Sequence, residues 1–382
     1  MNTIRPIAYY LPQFHPIPEN DEWWGKGFTE WTNVIKAKPL FEGHKQPYFP
    51  ADLGYYDLRV PEVREQQAQL ARNAGIEGFC YWHYWFGIGK QLLERPFNEV
   101  LKSGKPDFPF CLAWANESWS GIWHGASDRI LIKQEYHGLK DYEAHFYDIL
   151  PAFLDKRYIR VEDKPLFVIY NPTDLPDMQE FCDIFRNLAV KNNLKGIHLV
   201  ANNIKNVKID WNPESYGFDA YTTSAHNRII HDGYNFSTKN INKAEKKYAI
   251  QYWYKKLSKR LSKRSSDKPL YTFKYEDALK YFLLENNLNI DSYPTIITGW
   301  DNSPRCGING LILTDYTPDQ FRIHVKQVFP FVEKTKNKIM FIKSWNEWAE
   351  GNYLEPESEY GIRFLDVLRD EMLKYRENQN QF

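Results

Sequence analysis

Short runs dense in apolar and aromatic residues recur along the chain, most of them ending on polar groups. They are IRPIAYYLPQF (4–14), IEGFCYWHYW (76–85), PFCLAWANE (109–117), KPLFVIYN (164–171), GIHLVANN (196–203), FDAYTT (218–223), YPTIITGW (293–300) and KIMFIKSW (338–345). Their β-branched and aromatic content, over so few residues, predicts strands. Between several of them, apolar positions recur every three to four residues, in VPEVREQQAQLARNAG (60–75), YEAHFYDILPAFLDK (142–156), DMQEFCDIFRNLAVKNN (177–193) and TPDQFRIHVKQVFPFVEKT (317–335). That period, with Gly or Asn near the ends, predicts amphipathic helices.

Strands alternating with helices describe β/α units and a parallel sheet. Eight units in one chain predict a closed (β/α)8 TIM barrel, residues 1–382 forming a single catalytic domain with long βα-loop insertions. The alternative is an open doubly wound sheet, whose nucleotide-binding turns GxGxxG or GxxxxGK[ST] follow no early strand; GKGF and GIGK fit neither. Two stretches interrupt the rhythm. Residues 15–59, rich in Pro, Gly and aromatics, are too long for a plain connector and suit a wall over a cleft. Residues 224–292 form a second, partly helical insertion. Within it KKYAIQYWYKKLSKRLSKRSSDK (246–268) is basic and aromatic, compatible with contact to an anionic membrane surface or with a solvated helical face.

In such barrels the strand C-termini form the active-site mouth. Tyr9, Tyr10, His83, Trp85, Asn116, Glu117, Tyr170, Asn171, Asn202, Trp300, Asp301, Asn346 and Glu347 all fall there.

Charge narrows the partners. Lys and Arg total 49, as do Asp and Glu, so the whole chain has no field to steer it to nucleic acid or another polyanion. Aromatic residues point elsewhere: 13 Trp, 26 Tyr and 24 Phe make 16% of the chain, many beside polar groups as in AWANESWSGIWHG. Indole faces suit stacking on a sugar ring, so an oligo- or polysaccharide is the expected partner. The four cysteines, Cys80, Cys111, Cys182 and Cys306, show neither disulfide nor zinc spacing, and no metal or cofactor is expected. The start MNTIRPIAYYLPQF is unlike a signal peptide, and no apolar run reaches the roughly 18 residues a membrane span needs, so a cytoplasmic protein is expected.

The stretch WNEWAEGNYLEP (345–356) carries Glu347, Glu350 and Glu355. Glycosidic cleavage needs one carboxyl to protonate the departing oxygen and a second, ionised, to assist at the sugar, about 5–5.5 Å away in retaining enzymes. If the chain leaves the strand near Trp345 and turns, Glu347 and Glu350 fall on one side, and Gly351 favours such a turn. Crowding raises one carboxyl pKa and leaves the other ionised, and the tryptophans desolvate the one that keeps its proton. The competing reading makes Glu350 and Glu355 loop charges and pairs Glu347 with an arginine such as Arg305. Glu117, in WANESW, is a third acid at the mouth.

NEWAEGNYLEP, AYYLPQFHPIPENDEWWGKGFTEW, GFCYWHYWF, WANESW and WDNSPR together resemble the WbsX-like family, often labelled glycosyltransferase and related to the glycoside hydrolase family 99 endo-α-mannosidases. The resemblance implies a metal-independent retaining (β/α)8 glycosidase. It makes Glu347 the base that deprotonates the substrate 2-hydroxyl, so that a 1,2-anhydro sugar forms. Glu350 becomes the acid that protonates the leaving oxygen and later activates water, and Tyr10 matches a family position near the end of the first strand. Sugar contacts are expected from Tyr10, His83, Trp85, Trp114, Asn116, Glu117, Trp300 and Arg305, with Asn346 orienting Glu347; His83 among aromatics also fits a core histidine. A nucleotide-sugar glycosyltransferase of O-antigen or capsule biosynthesis and a non-catalytic carbohydrate-binding protein are the alternatives. Neither DAY nor TDY supplies a DxD-type site for the former.

Overall fold

The computed structural model describes residues 3–121, 126–203, 212–223, 229, 271–282 and 290–379. Parallel strands β1 (Arg5–Tyr10), β2 (Gly78–Trp85), β3 (Phe110–Trp114), β4 (Lys164–Ile169), β5 (His198–Asn203), β6 (Ala220–Thr223), β7 (Asp291–Tyr293), β8 (Thr295–Ile297) and β9 (Ile339–Lys343) form one sheet. Its order is β7-β6-β5-β4-β3-β2-β1-β9-β8. The ends of this order meet at Pro294, which separates β7 from β8. β7 pairs with β6, with Ala220 opposite Asp291, and β8 pairs with β9, with Thr295 opposite Phe341. Proline has no N–H to donate, so the ladder changes partner there; its carbonyl still accepts from the Phe341 N–H at 2.9 Å. Taken together, β7 and β8 are the seventh of eight staves, and the chain is a (β/α)8 TIM barrel.

The four expected helices are α3 (Pro61–Asn73), α5 (Leu139–Leu154), α6 (Met178–Lys191) and α7 (Pro318–Glu333). Local chemistry sets their starts. Asp177 accepts the Glu180 N–H at 2.9 Å and Thr317 accepts that of Gln320 at 3.3 Å, each cap contributing about 1 kcal/mol. Short α1 (Pro18–Trp24) and α2 (Glu30–Lys36) lie in the first loop, α4 (Arg95–Ser103) follows β2, and α8 (Arg363–Gln379) ends the described chain.

Every residue of β2 is buried, as expected of a parallel strand covered on both faces. Outside the sheet, Phe146, Phe153, Phe181 and Phe185 of α5 and α6 mesh with Phe167 of β4, with the Phe181 and Phe185 ring centroids 4.3 Å apart. Burying each such ring contributes about 1.5–3 kcal/mol. Cys80, Cys111 and Cys182 are free and buried, and Cys306 is half-buried and free. Most of the 224–292 insertion, including the basic stretch 246–268, lies outside the described residues. Among the described residues no helix is long and apolar enough to cross a membrane.

Candidate active site

After β9 the chain makes a two-residue pairing, Asn346–Glu347 against Asn352–Tyr353, around a single 3₁₀ turn at Trp348–Glu350. Residues three apart eclipse on such a turn, so Glu347 at its start and Glu350 at its end project to one side. Gly351 closes it in the left-handed region at φ +57. A Cβ there would meet the Asp301 N at 2.8 Å and the Asp301 Cβ at 2.9 Å. The close approach lets the Asp301 N–H donate to the Glu350 carbonyl at 2.6 Å, which joins the WDN and WAEG segments back to back.

The next turn of the WDNSPR segment delivers Arg305 between the acids. Its guanidinium lies 2.7 Å from Glu350 Oε1 and 3.7 Å from Glu347 Oε2, and it pairs with Glu30 Oε1 as well. Glu30 stands on the first turn of α2, placed by its N–H donating to the Gln13 carbonyl at 2.9 Å and by Trp31 donating to the Tyr56 carbonyl at 2.9 Å. Glu347 Oε1 also accepts from the Trp82 indole at 3.0 Å. Glu30, Glu347 and Glu350 are 0%, 5% and 7% exposed, which excludes a solvated acidic turn.

Burial first, and then the Glu347 charge, push the Glu350 carboxyl up to about 7, against the pull of Arg305 and Lys343. Burial likewise raises Glu30, with Arg305 opposing it. Burial works against the Arg305 charge, but Glu30, Glu350 and Glu347 outweigh it and raise the guanidinium above its ordinary value. Three carboxyls crowded on one guanidinium favour holding one proton among them, and Glu350 is the group pushed toward keeping it.

Glu355, the third acid of the stretch, faces away from this cluster. It is 2% exposed and accepts from Trp348 Nε1 at 2.6 Å, Tyr56 OH at 2.9 Å and Gln67 Nε2 at 2.6 Å. Burial pushes it up to about 7, with those donors opposing. It braces the turn from behind, through Trp348. Asp301 braces it from the side, accepting from His44 at 2.7 Å and Gln46 at 2.6 Å of the first loop. Because His44 Nδ1 accepts the Leu40 N–H at 3.0 Å, its ring proton lies on Nε2 and is donated to Asp301.

Several residues expected at the mouth lie elsewhere. Side chains alternate along a strand, and the sheet fixes the parity. Tyr9 stacks on Trp82 (4.7 Å, 7°) on the lumen side, whereas Tyr10 packs on Phe79 and Tyr81 and donates to Gln67 at 2.7 Å, between the sheet and α3. His83, Trp85 and Trp114 share that outer layer. His83 meets His145 of α5 at 2.9 Å, Trp85 donates to Asp141 at 3.1 Å, and Trp114 donates to the Trp85 carbonyl at 2.8 Å. Burial lowers His83 to about 4, so it is a neutral core histidine. The expectation that Tyr10, His83, Trp85 and Trp114 line the cleft is therefore corrected. Asn346 holds the Leu11 backbone, accepting at 2.7 Å and donating at 3.0 Å, and so positions the loop rather than the Glu347 carboxylate. Asn116 pins Asn171 through bonds of 2.7 and 2.8 Å and is fully buried. Half-buried Glu117 accepts from Asn171 at 3.2 Å, and it acts with Glu350 and Glu347 on the Tyr170 phenol, which burial raises well above its ordinary value. Arg305 does stand against the pair, and the Trp300 ring packs against Lys343.

Sequence reasoning missed Glu30, Trp82 and Lys343 as site residues. Lys343 was legible as the charge interrupting the apolar run IMFIKSW (339–345). Trp82 was not, because aromatic residues occupy both faces of β2.

The family described as Glycosyltransferase WbsX matches residues 6–368. WxcX proteins of two Xanthomonas campestris pv. campestris strains are 35% identical over 371 residues, 96% of this chain; the chain spans about half (49%) of their length. A glycoside hydrolase-like protein superposes with a TM-score of 0.58 at 14% identity over 97% of this chain and 94% of its own. A GH99 endo-α-mannosidase from Bacteroides thetaiotaomicron superposes with a TM-score of 0.57 at 16% identity over 98% of each chain. Both are likenesses of fold. The match over residues 6–368 takes in both edges of the carboxylate cluster, and the chain belongs to the WbsX glycosyltransferase family.

Proposed function

We propose that the chain is a retaining glycosidase that cleaves a bacterial surface polysaccharide or mannose-like glycan with Glu347 and Glu350. One observation carries the reading: two buried carboxyls on a single 3₁₀ turn share one guanidinium, and one of them is pushed up to about 7. That gives an acid and a base at neutral pH. In the proposed first step Glu347 takes the proton of the sugar 2-hydroxyl, whose oxygen attacks the anomeric carbon. The glycosidic C–O bond breaks as Glu350 gives its proton to the departing oxygen, leaving a 1,2-anhydro sugar. In the second step Glu350 deprotonates water, which opens the anhydro ring at the anomeric carbon while Glu347 returns a proton to the 2-oxygen. Configuration is retained through two inversions. The Trp82 indole and Arg305 hold Glu347 in place for both steps.

The family's description favours a second reading, in which a hydroxyl of another sugar replaces water and the same pair transfers the glycan. Incubation with α-mannan and with O-antigen and capsular polysaccharides, followed by analysis of released reducing ends and of chain-length redistribution, separates the two. Glu347→Gln and Glu350→Gln are each expected to lower kcat at least 10³-fold while glycan binding persists. Full activity in either variant refutes the assignment. Tight binding of a UDP- or GDP-sugar, with turnover dependent on it, would replace the glycosidase by a nucleotide-sugar transferase.

A further inference from the structure

The mouth holds a second cation whose surroundings contrast with those of Arg305. Lys343 ends β9, and the register that sets Ala8 opposite Ile342 sets it beside Tyr9, on the lumen side. It is 6% exposed, and its ammonium lies 5.2 Å from the Trp300 ring centroid and 5.9 Å from that of Trp82. Arg305 has three carboxylates within 4 Å. Among the described residues no carboxylate lies within 4 Å of the Lys343 ammonium, and it donates no hydrogen bond. Tyr9, its neighbour across the β1–β9 pair, is 2% exposed, and its hydroxyl is buried without a hydrogen-bond partner.

Two indole faces compensate an ammonium only in part. Glu350 feels the Lys343 charge only from beyond ion-pair distance, so the desolvated ammonium is incompletely compensated, and an unmet hydroxyl adds to that cost. Both deficits end if a ligand brings an anionic acceptor between the two side chains. A diphosphate fits poorly, because it would bring two or more charges to one ammonium near Glu350 and the Glu30 and Glu347 carboxylates. A single carboxylate matches the single charge of the Lys343 ammonium.

We propose that Lys343 and the Tyr9 hydroxyl form a recognition point for the carboxylate of an acidic sugar, so that the polysaccharide bound at this mouth contains uronic-acid-type residues. The proposal rests on the glycosidase reading only in taking the mouth as a sugar site. The Trp82 and Trp300 faces flank the carboxylate, and the ring it belongs to lies toward Glu347 and Glu350.

Binding without turnover tests it. The methyl α-glycosides of glucuronic, galacturonic and mannuronic acid are titrated against the full chain by ligand-observed NMR, each beside its parent neutral hexoside. At least one acid is expected to bind ten-fold or more tighter than its neutral counterpart, the range of one hydrogen bond to a charged group. Lys343→Met should abolish that preference and Lys343→Arg retain it. Should Lys343→Met fail to fold, the acid-versus-hexoside comparison in the wild type, together with Lys343→Arg, still decides. No preference for any of the three acids overturns the proposal, as does a preference that survives Lys343→Met. So does Lys343-dependent binding of UDP or GDP, which would assign the cation to a phosphate. An inactive protein that prefers the acids sinks the glycosidase alone, and a glycosidase indifferent to the carboxylate sinks the acidic-sugar proposal alone.

Discussion

At the scale of the residue, the proposed acid Glu350 predicts a pH profile. A carboxyl pushed up to about 7 is protonated in weak acid and ionised above neutrality, so a general acid at this position loses activity as pH rises through about 7. The alkaline limb of kcat/KM is expected there, and a profile flat to pH 9 would exclude Glu350 as the acid. Glu30 offers a sharper check. Its charge raises Glu350 and it occupies Arg305, so Glu30→Gln removes a repulsion and frees the guanidinium at once. Both effects favour ionised Glu350, and the alkaline limb is expected to move to lower pH. Spacing in the sequence revealed the Glu347 and Glu350 pair because three residues is the period of the turn they occupy. It could not reveal Glu30, whose relation to Arg305 spans 275 positions and exists only once the barrel closes.

At the scale of the element, the turn depends on Gly351. Alanine would add left-handed backbone strain of about 1–2 kcal/mol and force its Cβ against the Asp301 backbone. Gly351→Ala is expected to destabilise the protein by about 2–3 kcal/mol in urea unfolding and to lower kcat more than KM, since the Asp301 bond that sets Glu350 must lengthen. Strands themselves were legible as apolar runs, and all eight staves fall where those runs lie. Their facing was not. In GFCYWHYW both the odd and the even positions carry aromatics, so composition cannot say whether Trp82 or His83 looks into the lumen. A parallel strand buried on both sides has no polar face to mark its parity. The polar groups that fill β2's outer layer, His83 against His145 and Trp85 against Asp141, imitate a binding site because a buried polar group needs a partner wherever it lies.

At the scale of the whole molecule, buried acids make stability depend on pH. Glu355 has a folded pKa of about 7 against an ordinary value of 4.5. A group raised in this way gives its full contribution below its unfolded pKa and loses it as pH rises through the folded one. Between pH 4 and pH 8.5 the wild type is expected to lose about 3 kcal/mol through this one side chain. Urea unfolding at the two pH values, compared with Glu355→Gln, isolates it; an equal pH dependence in both proteins would show Glu355 to be ionised throughout. The barrel itself was predictable from eight repeats of one unit. The break at Pro294 was not read from the sequence, because a single apolar run covers both sides of it.

The cluster joins the two extremes of the chain. Glu30 waits for Arg305, and the Leu11 backbone waits for Asn346, 335 positions later. On the ribosome the first strand and its loop emerge long before either partner, so the nascent chain carries a carboxylate and peptide groups that only late translation can satisfy. The carboxylate cluster then assembles in one late step, when β9 docks beside β1, and recovery of the proposed activity after dilution from denaturant should trail the recovery of helix signal.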